Sequence, residues 1–164
     1  MINSATGENR EQLTRSMHFV MMQLVSHYAP KSPTAEAYRT LRTNILAHKG
    51  EGSVAILITS SGPKEGKSTS ISNLAVTFAQ MNSKVLLMDM DLRRPTLHNK
   101  FDLEKENGTS DFLIDPEVAV DQVIKPSGIP NLDVITSGFI PPNPSELIAS
   151  PRTDFLLEEL KSRY

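Results

Sequence analysis

The order of three segments, an apolar run, a glycine-containing loop and a helix, most constrains the fold of this chain. Residues 54–59 are continuously apolar or β-branched, which is typical of a strand buried on both faces of a parallel sheet. A loop containing Gly62, Pro63 and Gly66 follows, and residues 68–81 then carry apolar side chains at helical spacing. This order is what a phosphate-binding βα unit requires.

The residues of the loop suit phosphate groups. Backbone N–H groups and the start of a helix offer unpaired donors to an anion. Lys67 would reach the β- and γ-phosphates, and the Ser68 hydroxyl would hold Mg²⁺. The strict P-loop pattern has glycine where Ser61 stands, one residue before Gly62. The alternative is a glycine-rich turn before an ordinary helix with an exposed lysine. The candidate nucleotide-binding residues are Ser61, Gly62, Pro63, Lys64, Glu65, Gly66, Lys67, Ser68 and Thr69.

Two carboxylates follow a second apolar run. Residues 85–88 predict a buried strand, and Asp89 and Asp91 come directly after it. Functional groups in open α/β sheets gather at the carboxyl ends of strands. One of the two carboxylates could bind Mg²⁺ while the other accepts a proton from an incoming hydroxyl. The alternative is an aspartate that serves as a turn residue after a strand.

The remaining pattern alternates strands with helices. It predicts an α/β fold with a doubly wound, mostly parallel sheet and helices on both faces. Residues 132–136 predict a third strand. Helices are predicted around residues 33–47, 110–113, 118–124, 145–149 and 152–163.

Composition excludes several classes of function. The 164 residues, 38% hydrophobic and 22% charged, predict one soluble globular domain. A net charge of −2 and a pI near 6.1 give no support to a nucleic-acid surface. The absence of cysteine excludes disulfides and thiolate chemistry, and the four histidines lack metal-binding spacing. The apolar stretch at residues 19–25 is too short to span a membrane and no cleavable signal precedes it, so a cytoplasmic protein is expected.

The first 31 residues are weakly specified by the pattern. Leu13, Met17 and Leu24 recur at helical spacing, whereas residues 19–24 could instead form an edge strand. We therefore interpret residues 1–31 as an N-terminal arm or helix and residues 32–164 as the P-loop domain. The helix that follows Pro33 carries a charged stripe, Glu36, Arg39 and Arg42.

Several of these motifs together resemble one family. The segment DMDLRRP at residues 89–95 is similar to the Walker A-prime motif of bacterial tyrosine kinases, the enzymes of capsule and exopolysaccharide synthesis. EAYRTLRTN at residues 36–44 resembles the family's ExxRxxR helix, and PPNPSELI at residues 141–148 resembles its PPNPSELL. The match also includes RPTLH at residues 94–98 and Gly108. It extends from about Pro30 to the end of the chain.

The resemblance implies a P-loop NTPase fold, ATP and Mg²⁺ as cofactors, and autophosphorylation on protein tyrosines. By position it implies Lys67 on the β- and γ-phosphates, Asp89 as catalytic base, and Ser68 with Asp91 at Mg²⁺. It implies that Glu36, Arg39 and Arg42 lie in the interface of a ring-shaped homo-oligomer. In the family the partner is a membrane-embedded polysaccharide co-polymerase, so the chain would lie peripherally at the inner face of the membrane.

Two departures from the family pattern leave alternatives open. The last helix resembles the one before the family's Walker B strand, so the resemblance predicts a fold that is incomplete at the C-terminus. Tyr164 is therefore not predicted to be the autophosphorylation site. Partitioning and cell-division ATPases carry a signature lysine early in the loop, where Gly62 stands here, which favours the kinase over a switch ATPase. A catalytically impaired, oligomerising fragment is the third alternative.

Overall fold

A small sheet with helices against both of its faces organises the described part of the chain. The computed structural model describes residues 23–48, 50 and 52–164. The strands are β1 (Val85–Met88), β2 (Lys125–Pro126) and β3 (Leu132–Ile135). The helices are α1 (Val25–Tyr28), α2 (Pro33–Ala47), α3 (Lys67–Ala79), α4 (Leu97–Phe101), α5 (Thr109–Ile114), α6 (Val120–Val123), α7 (Pro144–Ile148) and α8 (Pro151–Lys161).

The sheet of the described residues is mixed, whereas the sequence predicts a mostly parallel one. Its order is β1-β3-β2, with β1 parallel and β2 antiparallel to β3. Only residues 127–131 join β2 to β3, and so short a connection cannot form the crossover that a parallel pair needs. The parallel pair, with Val85 opposite Leu132, brings the carboxyl ends of β1 and β3 to one edge.

Alternating side chains of the strands divide the core into two clusters. Leu87 and Val134 join Val76 of α3 and Phe101 of α4 in one cluster. Ile135, the next residue along β3, belongs instead to the second cluster, with Phe112, Val123 and Leu156 of the helices α5, α6 and α8. Because successive side chains of a strand point to opposite faces, these clusters lie on opposite sides of the sheet.

The prediction of a buried strand at residues 54–59 is wrong for this structure. The segment pairs with no strand among the described residues, and Val54, Ile56 and Leu57 are exposed, Leu57 to 85%. An apolar run predicts a buried strand only if neighbouring strands supply ladder partners on each side. Here the segment lies outside any strand, and most of its apolar side chains are exposed.

The long helices follow their local sequence signals. The Ser32 hydroxyl accepts a hydrogen bond from the Ala35 N–H at 3.2 Å, and Pro33 occupies the first turn, so α2 begins as expected. Gly66 precedes α3 with a φ of +91°, a conformation that glycine adopts without steric strain. The phosphate-loop helix therefore begins at Lys67.

Residues 23–28 pack against α3 and contribute to the core. Leu24 is buried beside Val76 and Ala79. The Asn73 side chain accepts from the Ser26 N–H at 2.8 Å and donates to the Gln23 carbonyl at 2.7 Å. The predicted helix or strand at residues 13–24 lies mostly outside the described residues, and the domain division at 31/32 stays a prediction. Among the described residues, no helix is both long and apolar enough to cross a membrane.

Candidate nucleotide and magnesium site

The loop before α3, the predicted phosphate-binding loop, leads into the N-terminus of a helix. The N–H groups in the first turn of a helix have no helical acceptor, and they point outward with the positive end of the helix dipole. Lys67 lies at the first position of α3, with its Nζ 3.5 Å from the Gly62 carbonyl oxygen. The predicted binding residues 61–69 thus form one continuous rim, partly or fully exposed, around the start of a 13-residue helix.

Glu65 closes the loop on itself. Its carboxylate accepts hydrogen bonds from the Ser61 hydroxyl at 3.3 and 3.4 Å. A hydrogen bond from the Gly62 backbone lowers the pKa of Glu65, and the Ser60 and Ser61 hydroxyls and the charge of Lys67 lower it further. The charged carboxylate therefore links the two ends of the loop through its hydrogen bonds to Ser61 and Gly62.

Asp89 is buried and anchored by backbone donors. Its Oδ2 accepts from the Thr96 and Leu97 N–H groups at 3.0 and 3.1 Å, and its Oδ1 accepts from the Asp91 N–H at 3.1 Å. Burial raises the pKa of Asp89, and these three donors partly offset the rise. A carboxylate has about four acceptor positions, so Oδ1 is the oxygen with room to take a proton.

Asp91 is the candidate magnesium ligand with the freer carboxylate. It is half-buried, and its Oδ1 accepts from the Arg94 N–H at 3.0 Å. The described residues contain no cluster of three acidic or histidine side chains. Mg²⁺ needs no such cage, because it keeps several waters and takes one or two protein oxygens beside the phosphates. The Ser68 hydroxyl and the Asp91 carboxylate supply oxygen ligands of the kind that Mg²⁺ binds.

The short helix α4 connects the phosphate loop to Asp89. Its first N–H, from Leu97, binds the Asp89 carboxylate. One turn later, the Lys100 ammonium donates to the Thr69 hydroxyl at 3.0 Å. No hydrogen bond or ion pair among the described residues joins Lys67 directly to Asp89 or Asp91. Helix α4 thus links residues 61–69 to Asp89, because it forms a hydrogen bond with Thr69 and another with the Asp89 carboxylate.

The chain resembles bacterial tyrosine kinases in sequence. It is 49% identical over 122 residues to the tyrosine-protein kinase YwqD of Bacillus subtilis (strain 168), covering 74% of this chain and 51% of that protein. It is 42% identical over 142 residues to the putative tyrosine-protein kinase CapB of Staphylococcus aureus, covering 86% of this chain and 62% of CapB. No family model matches.

Solved structures agree in fold. The chimerical protein CapA2B2 superposes with a TM-score of 0.82 at 42% identity, over 87% of this chain and 63% of that one. The kinase domain of Escherichia coli tyrosine kinase ETK superposes with a TM-score of 0.81 at 37% identity, over 86% of this chain and 55% of that domain. Over the matched residues, the chain belongs to the family of bacterial tyrosine kinases. It spans about half to two thirds of the length of these relatives.

The charged stripe that suggested a bacterial tyrosine kinase interface makes contacts within the chain. Arg39 pairs with Glu36 at 2.5 Å and also donates to the Pro30 carbonyl. Arg42 donates to the Thr77 carbonyl at 2.6 Å, near the end of α3. Glu36 is exposed, while the two arginines are half-buried. The role of these residues in a homo-oligomer stays a prediction.

Sequence reasoning missed residues that hold the carboxyl edge of the sheet. The Thr109 hydroxyl donates to the Asp89 carbonyl at 3.1 Å. Lys125 donates to the Thr136 hydroxyl at 2.7 Å and to the Glu106 carbonyl at 2.5 Å. Buried lysines are rare, so no pattern pointed to Lys100. The one signal for this edge was Gly108, a single glycine that matches the family between its longer motifs; a glycine can mark a place where two backbones pack closely.

Proposed function

We propose that the chain is the nucleotide-binding part of a bacterial tyrosine kinase that transfers the γ-phosphoryl group of Mg-ATP to protein tyrosines, its own included. The observation that carries this proposal is the exposed rim of residues 61–69 at the start of α3, in a sequence 49% identical to YwqD. In this reading the kinase regulates capsule or exopolysaccharide synthesis, as the family resemblance implies.

The described residues divide the work of the proposed reaction. The loop N–H groups and Lys67 bind and orient the phosphates, which supplies positioning and charge neutralisation. Ser68 and Asp91 would hold Mg²⁺, whose charge offsets that of the phosphates. The Asp89 Oδ1 would accept the proton of the tyrosine hydroxyl, and its raised pKa brings it closer to that task.

The wider assembly belongs to the same proposal. We propose that a membrane-embedded polysaccharide co-polymerase activates the kinase at the inner face of the membrane. We also propose a homo-oligomeric ring with Glu36, Arg39 and Arg42 in its interface. Residues 32–164 would be the kinase domain, with residues 1–31 as an arm.

A doubly wound, mostly parallel sheet is proposed for the complete fold. The high TM-scores to two tyrosine kinase structures support it. So does β1, which pairs only with β3 among the described residues and leaves its other edge open. In that fold, residues 54–59 would form the strand that precedes the phosphate loop.

A phosphotyrosine assay tests the proposed activity. We compare the chain with Lys67→Met and Asp89→Asn after incubation with Mg-ATP, using an antibody against phosphotyrosine. We expect a clear signal from the unchanged chain and a reduction of about 10²-fold or more in each variant, because positioning and proton transfer each contribute on that order. Equal signals from all three proteins would refute the assignment. Phosphate release without phosphotyrosine would favour a switch ATPase.

A catalytically impaired, oligomerising module is the second candidate. The observation in its favour is that residues 54–57 are exposed and in no strand, so no strand in the described part of the chain anchors the predicted phosphate loop. Retained assembly without binding of a fluorescent ATP analogue would select this candidate.

A further inference from the structure

Lys100 is a buried cation that the proposed reaction does not use. Its side chain lies on α4 and the residue is only 5% exposed. The ammonium donates to the Thr69 hydroxyl at 3.0 Å and to the Gln23 side-chain oxygen. Among residues 23–48, 50 and 52–164, no carboxylate forms an ion pair with it. Both of its partners are neutral.

A desolvated ammonium without a counter-charge is unfavourable. Burial lowers the pKa of Lys100, and no opposite charge offsets that effect. An anion nearby would stabilise the charged form. Thr69, which accepts the hydrogen bond from Lys100, lies in the first turn of α3, within residues 61–69 where we propose that the triphosphate binds.

The Thr69 hydroxyl is left with a proton to donate. It accepts the hydrogen bond from Lys100, and no acceptor among the described residues takes its own proton. A hydroxyl can donate one hydrogen bond while accepting others. Lys100 therefore orients the Thr69 hydroxyl so that its proton is available to a phosphate oxygen.

The second partner of Lys100 belongs to the segment before α2. Gln23 is the first residue of segment 23–28. The side chains of Asn73 and Gln80 form hydrogen bonds with the backbone of this segment. Leu24 is 2% exposed in the core. The same ammonium thus touches a residue of the phosphate loop and a residue of the docked segment 23–28.

We propose that Lys100 is a positioning residue that couples nucleotide binding to the docking of residues 23–28, by holding Thr69 and Gln23 at once. This inference rests on the proposed nucleotide site. A contact shared by two sites makes their effects reciprocal: a bound triphosphate tightens the docked segment, and the docked segment raises nucleotide affinity.

The test measures nucleotide affinity and segment docking in the full chain. We titrate the unchanged protein, Lys100→Met and Gln23→Glu with a fluorescent ATP analogue and Mg²⁺. Hydrogen exchange of the Ser26 N–H, which bonds to Asn73, reports docking. Lys161→Met is the control, because Lys161 is exposed and, within the part of the chain that the structure describes, its ammonium forms an ion pair only with Glu158 on α8. Circular dichroism checks that each variant is folded.

We expect Lys100→Met to bind the analogue about tenfold more weakly, as for the loss of a charge-assisted contact of roughly 1.4 kcal/mol. Gln23→Glu keeps Lys100 and the shape of its partner but supplies a counter-charge, which draws the ammonium away from Thr69 and so breaks the link between the two sites. It should therefore also bind the analogue more weakly, while its Tm without nucleotide stays equal or rises. Nucleotide should slow exchange of the Ser26 N–H in the unchanged protein and not in Lys100→Met. Lys161→Met should behave as the unchanged protein.

A separate variant distinguishes failure of this inference from failure of the proposed function. If Lys67→Met loses the analogue while Lys100→Met and Gln23→Glu bind it normally, Lys100 is merely structural and the inference is overturned. The inference is also overturned if the nucleotide does not change the hydrogen-exchange rate of the Ser26 N–H in the unchanged protein. If the unchanged protein binds no analogue, the proposed function falls and the inference falls with it.

Discussion

At the scale of single residues, Asp89 shows how two opposing effects set a proton affinity. Burial disfavours the charged carboxylate, whereas three backbone N–H groups favour it, and burial prevails. The sequence could place Asp89 after a strand, because its position follows from the apolar run before it. It could not show the donors from Thr96 and Leu97, because they depend on how residues 90–97 turn back.

The raised pKa of Asp89 predicts a pH-dependent stability. Between its ordinary pKa and its higher folded pKa, the folded chain holds a proton that the unfolded chain releases. The contribution of Asp89 to the free energy of unfolding therefore falls as pH rises through that window. We expect the stability of the unchanged chain, relative to Asp89→Asn, to decline as pH rises above the ordinary pKa of an aspartate, about 4, in urea unfolding. A relative gain over that range would mean that the N–H donors outweigh burial.

At the scale of elements, the sequence predicted helices and strands that carry their own local signals, but it did not predict whether a strand has partners. The bounds of α2 and β1 agree with the prediction, and α3 and β3 differ from it by two residues or fewer at each end. These elements carry caps, helical spacing or compact apolar runs in their own sequence. β2 and α4 were not predicted, β2 because two residues are too short to show a period. The 54–59 segment failed because a strand also needs partners.

The difference between a packed and an unpartnered apolar residue is measurable. Leu74 of α3 is 1% exposed, while Leu57 is 85% exposed. We expect Leu74→Ala to lower the free energy of unfolding by about 2–5 kcal/mol, because it leaves a cavity. Leu57→Ala should change it by no more than about 0.5 kcal/mol, as at other exposed positions. Urea unfolding of both variants decides; a large loss from Leu57→Ala would show that the segment is packed in solution.

At the scale of the whole molecule, the carboxyl edge of the sheet depends on two chain segments that cross at close range. A Cβ built on Gly108 would lie 2.2 Å from the Gly138 nitrogen and 2.3 Å from the Thr136 carbonyl oxygen. Both are backbone atoms, so a change of side-chain rotamer cannot relieve the clash. The family match marked Gly108, but it could not show that this residue meets Gly138, because the contact joins segments some thirty residues apart.

This crossing predicts a strong substitution effect. Gly108→Ala should destabilise the chain by roughly 3 kcal/mol or more, since the backbone must shift to admit the methyl group. Gly50→Ala is the matched control, because nothing lies within 4 Å of its added Cβ. We expect Gly50→Ala to be neutral or slightly stabilising. Thermal unfolding compares the two, and similar Tm values would argue against the close crossing.

Helix α4 has a consequence for how this protein can vary. Its five residues hold Asp89 at one end and reach Thr69 one turn later. A substitution that shifts this single turn would alter both the proposed triphosphate binding and the proposed proton acceptance by Asp89. Neither property can then be tuned alone through α4, so adjustments to one of them have to arise elsewhere in the chain.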